Sequence, residues 1–129
     1  MTDLNGRCLC GAVSFVVHQP QMLVECHCTR CRRWTGCAST PVVLAAAADL
    51  ELTAGEELVA TYAEEGFSPR SFCTRCGTSL YSGAADTRYV TAGVLEEPEL
   101  EVACHVQVAD KASWHEIGGI APQHAALPG

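Results

Sequence analysis

Basic residues and long apolar segments are scarce in this sequence. Its 129 residues include 8 Lys and Arg against 15 Asp and Glu, which gives a formal net charge of −7 at pH 7. A surface of this charge repels the phosphate backbone of a nucleic acid, so we expect no nucleic-acid partner. No apolar segment approaches the roughly 20 residues that are needed to cross a bilayer, so we expect no membrane association.

The chain also lacks internal repeats, low-complexity linkers and any break in composition that would mark a domain boundary. Its length is that of one domain, and its content of 48% hydrophobic and 18% charged residues is typical of a globular protein. The first residues include Asp3, Asn5 and Arg7, where a secretory signal peptide requires an unbroken apolar segment. We therefore expect a single domain over residues 1–129, present in the cytoplasm as a monomer or homodimer.

Long helical patterns are scarce too, and short β-branched or apolar segments predominate. Turn signals such as Glu65-Gly66 and Ser82-Gly83 separate these segments. Only residues 29–35 suggest a brief helical turn. The pattern predicts a mainly β fold with short strands and little helix. Strands are predicted at residues 12–17, 40–44, 49–53, 58–62, 79–82, 89–95 and 101–108.

Cysteine is present in excess, with nine residues in the chain. An odd number disfavours a fully paired disulfide framework, and dense cysteine in a reducing compartment usually indicates metal or redox chemistry. A thioredoxin-like redox site is not expected, because no βαβ pattern surrounds the Cys28-x-x-Cys31 motif. Seven of the nine cysteines fall into three clusters, which are Cys8-Leu-Cys10, Cys26-His-Cys28-Thr-Arg-Cys31 and Cys73-Thr-Arg-Cys76.

The spacing within these clusters suits zinc ligation. In an extended C-x-C segment both sulfurs point to one face, and after C-x-x-C the glycine Gly77 permits the positive φ of a sharp turn around an ion. Zinc takes four soft ligands in a structural site, and three plus an exchangeable ligand in a catalytic site. Because the central cluster already supplies three ligands, we combine the two outer pairs. We expect two zinc ions per chain, a structural ion held by Cys8, Cys10, Cys73 and Cys76 and a catalytic ion held by Cys26, Cys28 and Cys31.

Most basic side chains lie close to these cysteines in sequence. Six of the eight are within three residues of a clustered cysteine, where they would lower thiol pKa values and balance thiolate charge. Those beside the central cluster could equally bind a substrate carboxylate through bidentate guanidinium contacts. On this second interpretation the predicted substrate-binding residues are Arg30, Arg32 and Arg33.

Three motifs, taken in order, resemble those of one known family. They are Asn5-Gly-Arg-Cys-Leu-Cys-Gly11, Cys26-His-Cys-Thr-Arg-Cys31 and Phe72-Cys-Thr-Arg-Cys-Gly77, within a similarity that extends over about residues 4–120. Together they resemble the family of glutathione-dependent formaldehyde-activating enzymes and centromere protein V. The resemblance implies a compact, mainly β, Mss4-like fold, with structural and catalytic zinc ions at the same two sets of cysteines. It also implies a carbon–sulfur lyase activity, in which glutathione and formaldehyde combine reversibly to give S-hydroxymethylglutathione.

Several other side chains could take part in a site or simply pack. His27 alternates with two cysteines, so its ring should point away from the metal, and packing or exposure is favoured over a proton-handling role. His105, on a predicted strand, is interpreted in the same way. Cys37 is expected to be buried rather than a fourth ligand or a resolving thiol, and Cys104 to lie in the core. A place in the core or in a pocket wall is expected for the two tryptophans, Trp34 and Trp114.

Two classes of function fit these features. The first is a zinc-dependent enzyme, in which a small glutathione-like thiol attacks a small aldehyde such as formaldehyde and forms an S-hydroxymethyl adduct. Three thiolates leave zinc a weak Lewis acid, which is better suited to exchanging thiols than to hydrolysis. The second is a non-catalytic zinc-binding module that holds a small thiol or a protein partner, with the fourth zinc position occupied by Cys37. We take the enzyme as the working hypothesis.

Overall fold

A computed structural model describes residues 2–128, which contain ten β-strands and one α-helix. Four short 3₁₀ segments, Ala47–Asp49, Glu56–Leu58, Ala92–Val94 and Val108–Asp110, connect some of these elements. No helix within the described residues has the length and apolar character that crossing a bilayer requires. The elements are β1 (Leu4–Arg7), β2 (Ser14–Val17), β3 (Met22–Cys26), α1 (Thr29–Thr35), β4 (Thr40–Ala46), β5 (Leu50–Ala54), β6 (Val59–Tyr62), β7 (Arg70–Cys73), β8 (Ser79–Ser82), β9 (Thr87–Thr91) and β10 (Val102–Val106).

The strands form two sheets. The larger sheet has seven strands in the order β10-β3-β4-β9-β8-β7-β6, and the smaller has three in the order β1-β2-β5. Pairing is antiparallel throughout except between β10 and β3, which run parallel and align His105 with Glu25. This parallel pair brings the last strand beside the strand that leads into the central cysteine cluster.

The larger of two apolar core clusters lies between the two sheets, and the smaller one consists of Val24, Val42 and Val106 of the seven-stranded sheet. The fully buried side chains of the larger cluster include Phe15 and Val17 from β2, and Val43 and Leu80 from the larger sheet. The close approach of β1 depends on a residue without a side chain, because a Cβ atom at Gly6 would lie 2.6 Å from the ring of Phe15. Since residues of both sheets contribute to this core, the described chain forms a single domain.

An ionic contact on the surface joins the three strands of the smaller sheet. His18 follows β2, and its two ring nitrogens lie 2.8 Å from the Asp3 carboxylate and 2.9 Å from the Glu51 carboxylate. Hydrogen bonding to Glu51, and then to Asp3, raises the pKa of His18 above its ordinary value. The two carboxylates therefore favour the protonated form of this imidazole, which connects them at the edge of the sheet.

The predicted fold class, mainly β with short strands and little helix, is confirmed. The helical turn at residues 29–35 and the strand at residues 79–82 have the predicted bounds. Three strands, β1, β3 and β7, were not predicted. In β1 and β7 the inward positions hold Gly6, Ser71 and Cys73, so alternation of apolar residues does not reveal them.

The other six predicted strands differ from the observed ones at one or both ends, and in three of them the local cause is clear. The segment 12–17 begins only at Ser14, because a turn closes between Cys8 and Val13 through a backbone hydrogen bond of 3.0 Å. The segment 89–95 gives way after Thr91 to a 3₁₀ turn. The segment 101–108 ends at Val106, because Gln107 adopts a left-handed conformation with φ of 57°.

Candidate metal centres

The two outer cysteine pairs meet at one point of the fold. The Sγ atoms of Cys8, Cys10, Cys73 and Cys76 all lie within 4.8 Å of one another. Cys8 and Cys10 occupy the turn between β1 and β2 with their sulfurs 3.5 Å apart, and the Cys10 sulfur lies 4.0 Å from that of Cys73. Four thiols at these distances form a closed donor set that suits a tetrahedral ion.

Local backbone geometry positions this set. Cys73 is the last residue of β7, and the chain then turns so that Gly77, with φ of 80°, donates its backbone N–H to the Cys73 carbonyl at 2.7 Å. The Cys8 sulfur accepts a hydrogen bond of 3.4 Å from the Val13 backbone N–H. A contact of 3.1 Å with the Thr78 hydroxyl lowers the pKa of Cys76 to about 5. These contacts favour the thiolates of Cys8 and Cys76, the form that binds metal.

The central cluster forms a second group of three sulfurs within 4.8 Å of one another. Cys26 ends β3, Cys28 caps the N-terminus of α1, and Cys31 lies in the first turn of that helix. The Cys28 sulfur accepts a hydrogen bond of 3.3 Å from the Cys31 backbone N–H. Helix formation directly after the strand therefore folds the three sulfurs onto one side of the chain.

The pKa values of these thiols are shifted in opposite directions. Hydrogen bonds from the thiols of Cys26 and Cys31 lower the pKa of Cys28, and the Arg70 guanidinium acts in the same direction. The same thiol contacts, together with burial, raise the pKa of Cys26. A bound cation would replace the protons that these close sulfurs share. Three thiolate ligands would leave one position of a tetrahedral ion open. Both cysteine sets are thus able to bind metal ions, and their donor chemistry is consistent with zinc.

A cavity of about 390 Å³ lies beside the three-cysteine group. Arg70, from β7, has its Nη1 atom 3.6 Å from the Cys31 sulfur and its guanidinium 5.0 Å above the ring of Trp34. Most of the remaining walls are apolar. Besides the three cysteines and Arg70, the lining residues are Met22, Val24, Val42, Leu44, Ser68, Ser82, Tyr89, Cys104, Val106, Gln107, Leu127 and Pro128.

The three arginines predicted to bind substrate lie around α1. Arg30 forms an ion pair of 2.7 Å with Glu64 and stacks on the ring of Phe67 at 3.6 Å. Arg32 donates a hydrogen bond of 2.9 Å to the backbone carbonyl of Asp110, and Arg33 is exposed. None of the three is among the described residues that line the cavity. Their role in substrate binding stays a prediction, and Arg70, which lies in a different cysteine motif, is the arginine at the cavity.

A buried group of polar side chains lies on the other side of β3 from the cysteines. The Nε2 atom of His27 is 3.0 Å from the Nδ1 atom of His105, which is in turn 3.3 Å from the Glu25 carboxylate. Ser39 donates a hydrogen bond of 3.1 Å to the same carboxylate. Both histidines are buried, and the three potential ligand atoms lie within 4.8 Å of one another. Alternation along β3 places His27 away from the sulfurs, as the sequence indicates, but its partner comes from the parallel strand β10.

Two expectations for single residues are wrong. Cys37 is exposed rather than buried, because the left-handed Gly36 ends α1 and turns the chain outward. Trp114 is 70% exposed and follows the 3₁₀ segment after β10, so it contributes to neither the core nor the cavity described above. Cys104 is only half-buried, packs beside the smaller cluster of core residues and lines the cavity.

Similarity to known proteins agrees with this architecture. The structure superposes on a crystal structure of a Rhodobacter sphaeroides protein with a TM-score of 0.61 and 25% sequence identity, over 74% of this chain and 90% of that one. An uncharacterized lyase of Schizosaccharomyces pombe is 34% identical over 83 residues. That match covers 63% of this chain, and the chain spans only 58% of the length of that relative.

Two further matches concern the family. A protein of Halomonas elongata, provisionally named a glutathione-dependent formaldehyde-activating enzyme, is 31% identical over 128 residues, which cover 88% of this chain and 80% of that protein. The family model described as glutathione-dependent formaldehyde-activating enzyme matches residues 3–111, which include both cysteine sets. The chain therefore belongs to the glutathione-dependent formaldehyde-activating enzyme family.

Proposed function

We propose that the protein is a zinc-dependent, carbon–sulfur lyase-like enzyme that adds a small thiol to a small aldehyde such as formaldehyde. The observation that carries this proposal is the group formed by Cys26, Cys28 and Cys31, open to a cavity beside the guanidinium of Arg70. The family to which the chain belongs supports a glutathione-like thiol and formaldehyde as the substrate pair.

In this proposal Cys26, Cys28 and Cys31 are the catalytic residues, because they hold the reacting thiol through their ion. Bound zinc would supply the chemistry of a thiol-exchange site, keeping the substrate sulfur deprotonated and nucleophilic. Arg70 lies close enough to the sulfurs to offset part of the negative charge of the thiolates. The apolar walls exclude water around the nucleophile, which strengthens this electrostatic contact.

The reaction balances without any further reagent. A bond forms between the substrate sulfur and the carbonyl carbon, and the π-electron pair of the carbonyl moves to its oxygen. That oxygen takes up the proton that the thiol has lost, which gives the S-hydroxymethyl adduct. Holding sulfur and aldehyde together in one cavity makes the encounter effectively intramolecular.

The four-cysteine set has a structural role in this proposal. Cys8, Cys10, Cys73 and Cys76 would bind a second zinc ion that ties the β1–β2 turn to the end of β7. The proposal takes the whole chain, residues 1–129, as one functional domain that works in the reducing cytoplasm, where the cysteines stay unpaired.

The test measures exchange between free formaldehyde and its glutathione adduct at equilibrium by NMR. We expect zinc-loaded wild-type protein to accelerate exchange and Cys28→Ser to abolish the acceleration. Cys37→Ser is the matched control, because Cys37 is exposed and lies outside both metal-ligand sets. Binding of thiols without acceleration would contradict the enzyme and favour a non-catalytic zinc-binding module.

A further inference from the structure

The cavity beside Cys26, Cys28 and Cys31 points to a narrower class of thiol. We propose that the thiol bound there carries an apolar body and a single carboxylate, and that Leu127 and Arg70 select these two features. This inference rests on the proposed function, because it concerns the thiol that binds at the same three-cysteine group.

The charge of the cavity wall limits the number of ionic groups that a ligand can bring. Apart from the three cysteines that would hold the ion, Arg70 is the one ionic side chain among the described residues that line the cavity. Its planar guanidinium suits bidentate contact with one carboxylate. Glutathione brings two carboxylates and an ammonium group, and no acidic side chain of the described lining is available for that ammonium. Ionic groups that lose water without gaining a partner weaken binding.

Two arginines of α1 are engaged by other groups and do not line the cavity. Arg30 is held by its ion pair with Glu64 at 2.7 Å, and Arg32 by its hydrogen bond to the Asp110 carbonyl at 2.9 Å. Recruiting either one would break an existing contact. A ligand with one carboxylate needs neither of them.

The rim of the cavity presents apolar side chains to solvent. Leu127 is 67% exposed and Met22 is 42% exposed, and both line the cavity. Deeper in, the walls include Val24, Val42 and Val106. Exposed apolar side chains around a concave site are a usual mark of ligand binding, and an apolar body on the thiol would cover them. The volume of about 390 Å³ lies at the small end of the roughly 300–1,000 Å³ that is usual for ligand pockets.

Backbone hydrogen bonds hold Leu127 at this rim. The segment that leads to it lies along β10 and the residues that follow, where the Gln107 N–H donates to the Ala126 carbonyl at 2.9 Å. The His105 N–H donates to the Pro122 carbonyl at 2.8 Å in the same way. Leu127 lies beyond residue 111, where the family match ends. The part of the apolar rim that Leu127 forms therefore lies outside the segment that the family match covers, whereas Met22 lies within it.

The experiment is calorimetric titration of the zinc-loaded full chain with three thiols, glutathione, mercaptohexanoate and mercaptohexanol. We expect mercaptohexanoate to bind at least about tenfold more tightly than glutathione. Because Leu127→Ala removes apolar area that the ligand covers, it should weaken both mercaptohexane derivatives by about tenfold and leave glutathione unchanged. Arg70→Gln should weaken mercaptohexanoate to the level of mercaptohexanol.

The matched control is Ile120→Ala, because Ile120 is fully exposed and is not among the described residues that line the cavity. It should bind all three thiols as wild type does, and the melting temperatures of Leu127→Ala and Ile120→Ala should equal that of wild type. Glutathione binding as tightly as mercaptohexanoate would overturn this inference and leave the proposed function standing. The proposed function would be overturned as well if the wild-type protein bound none of the three thiols, or if Cys28→Ser bound them as wild type does.

Discussion

Replacing Cys73 with serine should cost the protein its fold, whereas the same change at Cys28 should not. Cys73 is fully buried at the end of β7, with its sulfur 4.0 Å from that of Cys10. The substitution removes one of four proposed zinc ligands and leaves a hydroxyl group in the core. Because the sites on β1–β2 and β7 are far apart in sequence, losing this ion also releases the connection between them.

The magnitude follows from comparing two free energies. Structural zinc contributes about 10–16 kcal/mol of binding free energy in small zinc domains. A domain of this size is stable by only about 5–15 kcal/mol in total. Losing half of the zinc contribution, about 5–8 kcal/mol, would therefore remove between about a third and all of the stability of the fold.

The contrast with Cys28 rests on helix capping. The Cys28 sulfur accepts the Cys31 backbone N–H at 3.3 Å, as an N-cap of α1. Serine is among the best N-cap residues, so Cys28→Ser retains this function while weakening the three-cysteine site. We expect Cys28→Ser to melt within a few degrees of wild type. A stability loss of about 1 kcal/mol lowers the melting temperature by roughly 4–8 °C in a domain of about 100 residues or fewer, and by less in longer chains.

Thermal unfolding followed by circular dichroism, with zinc content measured on the same samples, tests both expectations. Cys37→Ser serves as the control for handling of an exposed thiol. Greater loss of stability in Cys28→Ser than in Cys73→Ser would show that the structural and catalytic sets have been assigned the wrong way round.

Three further predictions concern other parts of the chain. Elemental analysis should find about two zinc ions per chain. A chelator should remove the ion at the open three-cysteine site first. A thiol-reactive dye should then label Cys28 faster than Cys73. The pKa of His18 is raised in the folded state, so the ion pairs of His18 stabilise the fold fully at pH values below the pKa of the unfolded state. This stabilisation is lost as the pH rises through the pKa of the folded state. The free energy of unfolding of His18→Gln, measured in denaturant, should lack this pH dependence. Gly6→Ala, whose Cβ would press on the buried Phe15 ring, should cost about 1–3 kcal/mol in the same assay, whereas Gly93→Ala, with no atom within 4 Å, should be nearly neutral.

The parts of the fold that the sequence predicts are those governed by local pattern. The strand at residues 79–82 alternates half-buried and buried side chains, and the helix at residues 29–35 begins at a capping residue and ends at Gly36. The strands that were not predicted depend on contacts with residues elsewhere in the chain. Gly6 faces inward because Phe15 fills the space above it, and nothing within β1 encodes that contact.

The same division applies to the candidate site. The assignment of the cysteines to groups of four and three follows from ligand number and spacing, and the grouping of the sulfurs in space agrees with it. The position of Arg70 beside Cys31 depends on the order of strands in the larger sheet, so sequence proximity favoured Arg30, Arg32 and Arg33 instead. The contact of His27 with His105 spans 78 residues and requires the parallel pairing of β10 with β3.

The unequal sequence spans of the two cysteine sets bear on the order in which metal is acquired during biosynthesis. Cys10 and Cys73 are 63 residues apart, whereas Cys26 and Cys31 are separated by five. Closing the longer loop in an unfolded chain costs about 2 kcal/mol more, at about 0.6 kcal/mol for each doubling of length. A nascent chain completes its three-cysteine set long before Cys76 has been synthesised, so we expect the first zinc ion to bind at Cys26, Cys28 and Cys31. Refolding with one equivalent of zinc should accordingly show early metal uptake followed by slow transfer to the four-cysteine set; uptake and folding in a single phase would contradict this order.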